Sequence, residues 1–224
     1  MVDNSQKPGP HGEPLQSWSR NDATIDQVVI HESVTSSRAN TVRVLKARGL
    51  SVHYIVDRVG SVTQHAPLAD QCAHAGGKHN RRSVAVEVVN RYYGSQGDGG
   101  EPDIKAVWAH RGWYILPTPQ QCEAVWLLLV DVHERIATIP LTFPGVIKGS
   151  FTWGRLPLLQ RLRVPPGIMA HHRTGHADGL FPEHYCVLRA LDFSALDAYR
   201  LTVEAASSGK RSTPIPDACP KEAA

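Results

Sequence analysis

Twelve histidines occur in the 224 residues, and four of them stand where a chain could hold a divalent cation. His31 ends the β-branched run IDQVVIH, while His171, His172 and His176 follow the short run GIMA, with Asp178 in the same turn-rich segment. A side chain at the end of a rigid strand is held in place while facing solvent, which suits a metal ligand. Two neutral imidazoles and one carboxylate leave the fourth tetrahedral position open to water, the arrangement of a catalytic zinc site. Taken alone, any one of these histidines reads more readily as a hydrogen-bonded or surface residue, so the spacing suggests a metal site without establishing one. Glu87 is the other conspicuous group. It is a carboxylate within the strand-like run SVAVEVV, a costly place unless it is paired, for instance with Arg91, or functional.

The elements that must carry these groups are legible from pattern. Residues 25–31 form a buried strand, and SSRANTVRVLKARG continues as a helix with Val42 and Leu45 on one face and Gly49 at its stop. VHYIVD (52–57) and SVTQH (61–65) flank a turn at Arg58–Gly60 and make a hairpin. In 83–89, Val84, Val86 and Val88 point to one face and Ser83, Ala85, Glu87 and Val89 to the other. Residues 91–117 are a Gly-rich insertion holding Trp108, Trp113 and Tyr114. A helix then starts at Thr118, with a Thr118/Gln121 capping box, Pro119 in the first turn and the apolar stripe Cys122, Val125, Leu129, Val132, Ile136. A second Pro/Gly-rich stretch (140–166) contains Trp153 and precedes the strand 167–171, and a last helix falls within 186–203. Trp108, Trp113 and Trp153 read equally as walls of a groove or as packed core. Mixed strands and helices of this kind predict an α/β fold, a mixed central β-sheet flanked by helices.

Composition sets the outer limits. Apolar residues make up 42% and charged residues 20%, as in ordinary globular domains. No apolar run approaches the ~20 residues that span a bilayer, so membrane insertion is not expected. The start MVDNSQKPGPHGEP has no apolar signal-peptide core, which predicts a cytoplasmic protein unless another route releases it. Four cysteines (Cys72, Cys122, Cys186, Cys219) without a C-x-x-C pair argue against a zinc ribbon or a disulfide framework. A formal charge of +3 with no basic, aromatic-laced face gives no reason to expect nucleic acid. The polar, Pro/Gly/Ser-rich ends predict a flexible arm over 1–22 and a disordered tail over 205–224, with one folded domain over 23–204. Oligomeric state is not legible.

The order of the motifs VVIHES, SVHYIVDRVGSVTQ, AHAGGKHNRRSVAVEVVN and IMAHHRTGHADG resembles that of the type-2 N-acetylmuramoyl-L-alanine amidases. These belong to a superfamily with phage lysozyme-type amidases and animal peptidoglycan recognition proteins. The resemblance covers residues 25–185 and implies an amidase/peptidoglycan-recognition-like single domain, with 23–204 as a zinc amidase catalytic domain. His31 matches the family's first zinc histidine, and His53 to Gly60 matches the hairpin HYxIDRDG, with Val59 in place of the acidic residue. His74, Ala75 and Gly76 match HAG, and Ser83 to Glu87 matches SIGIE, with Ala85 for glycine. The last motif implies His171 and Asp178 as the remaining Zn2+ ligands. His172 is the alternative to His171, disfavoured by its spacing, and Gly179 stands without the proline many members have next.

What the resemblance implies for chemistry is hydrolysis of the amide between N-acetylmuramic acid and L-alanine in peptidoglycan or muropeptides. Glu87 would move the proton, and His176 would stand where many members place a catalytic lysine. His53 and His74 would bind substrate or support the site. Some members bind peptidoglycan without cutting it, but these usually lack the third ligand, so His31, His171 and Asp178 together favour an enzyme. The same features fit both an endolysin that degrades the cell wall and a cytoplasmic enzyme acting on muropeptides.

Overall fold

Alternation of short β-branched runs with capped helices produces the element order β1 (Trp18–Ser19), β2 (Gln27–Glu32), α1 (Arg38–Ala47), β3 (Tyr54–Val56), β4 (Val62–Gln64), β5 (Asp70–Gln71), α2 (Gly77–Asn80) and β6 (Ser83–Val88). It continues with β7 (Asp103–Lys105), β8 (Trp113–Ile115), α3 (Pro119–Arg135), β9 (Val146–Ile147), β10 (Ser150–Thr152), α4 (Leu158–Arg163), β11 (Gly167–Ala170), α5 (Leu180–Arg189), α6 (Ala195–Ser207) and β12 (Ser212–Pro214). The computed structural model describes residues 12–91, 102–109, 112–163 and 165–217. The start of the expected arm, the end of the tail with Cys219, and much of the 91–117 insertion lie outside the described residues.

A five-stranded sheet in the order β11-β2-β6-β3-β4 forms the centre. β11, β2, β6 and β3 run parallel, and β4 returns antiparallel to β3 through the expected hairpin. The sheet is therefore mixed and flanked by helices, as its pattern predicts. Period two in β2 and β6 sorts the two faces. Val28, Ile30, Val84, Val86 and Val88 join Val125, Leu129, Phe181 and Tyr185 from α3 and α5 in the larger core. Ala85, Val89 and Ile55 on the other face pack on Val42 and Leu45 of α1 and on Leu15. That second layer is thin, and the carboxyl ends of the parallel strands, where such sheets place their ligands, lie at its edge.

Local chemistry explains the element ends. Ser37 caps α1 by accepting from the Asn40 N–H, and Thr118 with Gln121 forms the capping box of α3. The last helix differs from expectation: two helices, α5 and α6, replace one within 186–203. Asp192 adopts a left-handed φ of 64°, and Ser194 then caps α6 by accepting from the Asp197 N–H. Pro182 falls in the first turn of α5, where N–H groups have no intrahelical acceptor, so it does not break the helix.

The described parts of the expected arm and tail, 12–22 and 205–217, are more ordered than their polar composition suggests. Leu15 is buried, β1 pairs with β5, and Arg20 is 4% exposed. Beyond 205, α6 runs on to Ser207 and β12 pairs with β10. Few apolar anchors suffice, because the backbone of each segment finds partners on strands already in place.

Candidate metal centre

β2 and β11 are neighbours in register, so the residues that end them emerge side by side. His31 lies within β2, and His171 opens a 3-10 turn, His171–Arg173, just past β11. The chain then folds back at Gly175–Gly179 and brings Asp178 to both rings. One donor atom each from His31, His171 and Asp178 lies within 4.8 Å of the others, and all three residues are buried. The His31 Nδ1 is 3.6 Å from Asp178 Oδ2, and the His171 Nδ1 is 3.4 Å from Asp178 Oδ1. Donors held 2.0–2.1 Å from a tetrahedral ion sit about 3.4 Å apart, so the two His–Asp spacings are near those of a zinc site. Gly179 makes the fold-back possible. Its φ is +84°, and a Cβ there would come within 2.2 Å of the Ile30 carbonyl oxygen.

The electrostatics of the cluster favour a cation. Burial would raise the Asp178 carboxyl, but contacts with His171 and His31 outweigh it and hold the group well below the usual carboxylate range. Asp178 Oδ1 is nonetheless buried without a hydrogen-bond donor. Burial and the neighbouring His171 push His31 down to about 4, so its ring is neutral and offers a lone pair. Among the described residues no fourth protein donor joins the three. Two neutral imidazoles, a carboxylate with an orphaned oxygen and an open side are a donor set for a catalytic zinc ion.

Glu87 is the register partner of His31 on the adjacent strand and points to the same face. Burial, then Asp178 and Glu32, push its carboxyl well above the ordinary glutamate value. Arg48, not the Arg91 considered as its partner, supplies the opposing positive charge. His176 stacks on His171 with ring centroids 4.4 Å apart and planes 9° apart. Burial and His171 lower its pKa. His172 stands outside the triad: its backbone N–H donates to the Asp178 carbonyl oxygen, while its ring Nδ1 is buried without a partner.

His74 and His53 act differently from each other. His31 Nε2 is 2.9 Å from His74 Nδ1, and His74 Nε2 is 2.9 Å from the Ser83 Oγ. With the His31 Nδ1 directed at the ion, its Nε2–H donates to His74, which donates in turn to Ser83, whose hydroxyl donates to the His79 carbonyl. His74 also lines the cleft over the site. His53, by contrast, is fully buried. Its Nδ1 accepts from the Ala85 N–H at 2.9 Å, and its Nε2 sits 2.9 Å from both Arg20 Nη2 and the Asp70 carbonyl oxygen. Direct substrate contact, one of the two roles expected for His53, is thereby corrected to support, because protein groups take both ring nitrogens.

Sequence reading missed Glu32. Alternation turns its side chain to the α3/α5 side, opposite to His31. Its Oε1 accepts from Tyr114 Oη at 2.6 Å and Asn90 Nδ2 at 2.9 Å, and its Oε2 from the Gly179 N–H at 2.8 Å. Burial pushes this carboxyl up to about 7 against those hydrogen bonds. Glu32 thus clamps the turn after Asp178 to β2 and to the insertion. A carboxylate closing a strand just after the apolar run Val28–Ile30 and His31 was the available signal. The groove walls also differ from the open alternative: Trp108 and Trp153 are buried and stacked at 4.4 Å, as core. A cleft of about 420 Å³ is lined instead by His74, His79, His171 and His176 and by Leu158, Arg161 and Leu162 of α4.

A family model described as N-acetylmuramoyl-L-alanine amidase matches residues 21–178. Similar solved structures include the hydrolase AmiA of Staphylococcus aureus in complex with its ligand, at 14% identity and a TM-score of 0.47, covering 87% of this chain and 80% of that one. Another is the amidase AmiD from E. coli with anhydro-N-acetylmuramic acid-L-Ala-D-gamma-Glu-L-Lys, at 16% identity and a TM-score of 0.42, covering 88% and 91%. A mutant endolysin from Bacillus subtilis follows at 17% identity and a TM-score of 0.40, covering 87% and 92%. No curated protein matches by sequence.

Proposed function

Because the chain belongs to the N-acetylmuramoyl-L-alanine amidase family, we propose that it cuts its peptidoglycan substrate in a zinc-dependent reaction at the cleft above His31, His171 and Asp178. The bond is the amide between the lactyl group of N-acetylmuramic acid and the L-alanine of the stem peptide. The observation that carries this reading is the convergence of three donors from distant segments around a buried carboxylate oxygen that no protein group satisfies. The muropeptide held by AmiD begins with L-alanine followed by a γ-linked D-glutamate, and we extend that order to the substrate of this chain. Intact peptidoglycan and soluble muropeptides both offer it. No helix among the described residues is long and apolar enough to cross a membrane.

When bound, zinc supplies a water whose pKa falls from about 15.7 to about 7 and polarises the scissile carbonyl. Glu87 takes the proton from the attacking water on its carboxylate and passes it to the departing alanine nitrogen. Its environment disfavours the ionised form, which makes it a stronger base than an exposed glutamate. His176 donates a ring N–H to the carbonyl oxygen as charge develops there. His74 and Ser83 hold the His31 ring so that Nδ1 stays directed at the ion.

Metal analysis and product mass spectrometry test this reading together. Purified protein is expected to carry one zinc per chain and to release the stem peptide from sacculi or soluble muropeptides. Asp178→Ala should lose both zinc and turnover, and chelation should stop turnover while the fold is largely kept. Protein that lacks stoichiometric zinc, with Asp178→Ala still cutting at the parent rate, would overturn it. Unfolding on chelation would instead mark a structural zinc.

A further inference from the structure

The cleft has one wall that the chemistry above does not use. α4 turns Leu158, Arg161 and Leu162 toward it, positions i, i+3 and i+4 that share one face of a helix. Both leucines remain open to solvent, at 61% and 58% exposure, so this wall is not filled by the protein itself. Arg161 is half-buried, its Nε is shielded from water without a hydrogen-bond partner, and no ion pair to its guanidinium forms among the described residues. Most other half-buried arginines here are engaged: Arg38 with Asp57, Arg82 with Asp26 and Arg189 with Glu123. Next to the cleft, a second recess carries Lys78, Arg81 and Arg163 and shares Leu162 with it. This rim is basic, and the half-buried Arg161 guanidinium, unpaired among the described residues, lines the same cleft as His171 and His176.

A guanidinium in that state takes a planar anion far better than an amide or a hydroxyl, because its fork of N–H donors matches a carboxylate. The substrate proposed above carries such a group close by. A D-glutamate linked through its γ-carboxyl leaves its α-carboxylate free, and this lies about 7 Å, two extended residues, beyond the scissile amide. We propose that Arg161 anchors the free α-carboxylate of that D-glutamate, with Leu158 and Leu162 covering the apolar part of the stem peptide beside it. This rests on the amidase reading for the position of the stem peptide. It makes α4, a segment of the 140–166 insertion, a specificity element of the cleft.

Two muropeptides that differ only at this group test it: one with the free α-carboxylate, one with the α-amide. A charge-assisted hydrogen bond is worth about 1.5–3 kcal/mol, so the parent should prefer the carboxylate form by roughly ten- to hundredfold in kcat/KM, mainly through KM. Arg161→Gln should collapse that ratio toward one with bound zinc unchanged, and Arg161→Lys should keep part of it. A parent that cuts both forms equally, or an Arg161→Gln protein that still discriminates, overturns the proposal. Calorimetric binding of both muropeptides to Glu87→Gln protein decides the same point without turnover. A chain that binds the carboxylate form selectively but cuts neither would therefore overturn the amidase reading and leave the Arg161 assignment standing.

Discussion

Arg173 and His171 stand two residues apart after the same strand, yet the buried charges around them are settled in opposite ways. Arg173 and Glu183 are both fully buried and paired at 2.9 Å. The Arg173 Nη1 donates to the Thr152 and Gly154 carbonyl oxygens at 2.5 and 2.6 Å, tying the insertion to the turn. Gly145 leaves room for this, since a Cβ there would come within 2.1 Å of Arg173 Nη2. On the other side of the turn, Asp178 meets two imidazoles and the Glu32 N–H, Glu32 meets a phenol, an amide and a backbone N–H, and Asp178 Oδ1 is left over. A buried cluster whose charge the protein balances is architecture. One that leaves a carboxylate acceptor unmet beside two neutral imidazoles offers a donor set that suits a cation.

The sharpest way to separate the two clusters is to change one residue in each. Glu87→Gln keeps the shape beside the metal centre but removes the base, and turnover should fall by about 10²–10⁴-fold with zinc retained. Single-turnover rates and metal content on the same sample check this, and near-normal turnover would remove Glu87 from the mechanism. Arg173→Met leaves Glu183 buried and alone, and should cost about 3–5 kcal/mol of stability, read from urea midpoints. Arg173→Met combined with Glu183→Leu should regain much of that loss. No such rescue is expected for any apolar replacement of the His31, His171 and Asp178 set.

Smaller effects sharpen the contrast. His74→Phe removes the acceptor behind His31 and should weaken zinc about 10- to 100-fold in a competition titration, with stability little changed. Unchanged zinc affinity would reduce His74 to a cleft-lining residue. His184, packed between Phe151 and Trp153 on the structural side, reports on pH. Burial, with Arg173 adding to it, pushes its pKa down to about 3 from an ordinary value near 6.5. A depressed folded-state pKa means that its stabilising neutrality is fully present above about 6.5 and is lost as pH falls toward 3. At pH 5 the difference is on the order of 2 kcal/mol, so His184→Gln should flatten the fall in urea midpoint between pH 7.5 and pH 5.

Residue pattern alone determined the strands that carry His31 and Glu87, their common face, the caps of α1 and α3, and the motif order that points to an amidase. The strands, their face and the caps depend on a period of two or 3.6, or on a cap within four residues, and such local rules survive without knowledge of the rest of the chain. The motif order points to the family by resemblance. Tertiary structure decided the others. His171 rather than His172 reaches Asp178 because a 3-10 turn starts where β11 ends. Glu32 is functional support because Tyr114, more than eighty positions away, closes on it, and Trp108 and Trp153 became core because they stack on each other across the two insertions. Arg161 matters through the partner it lacks. These outcomes turn on which distant segments share a register or a wall, and a pairing of that kind leaves no periodic trace in the order of residues.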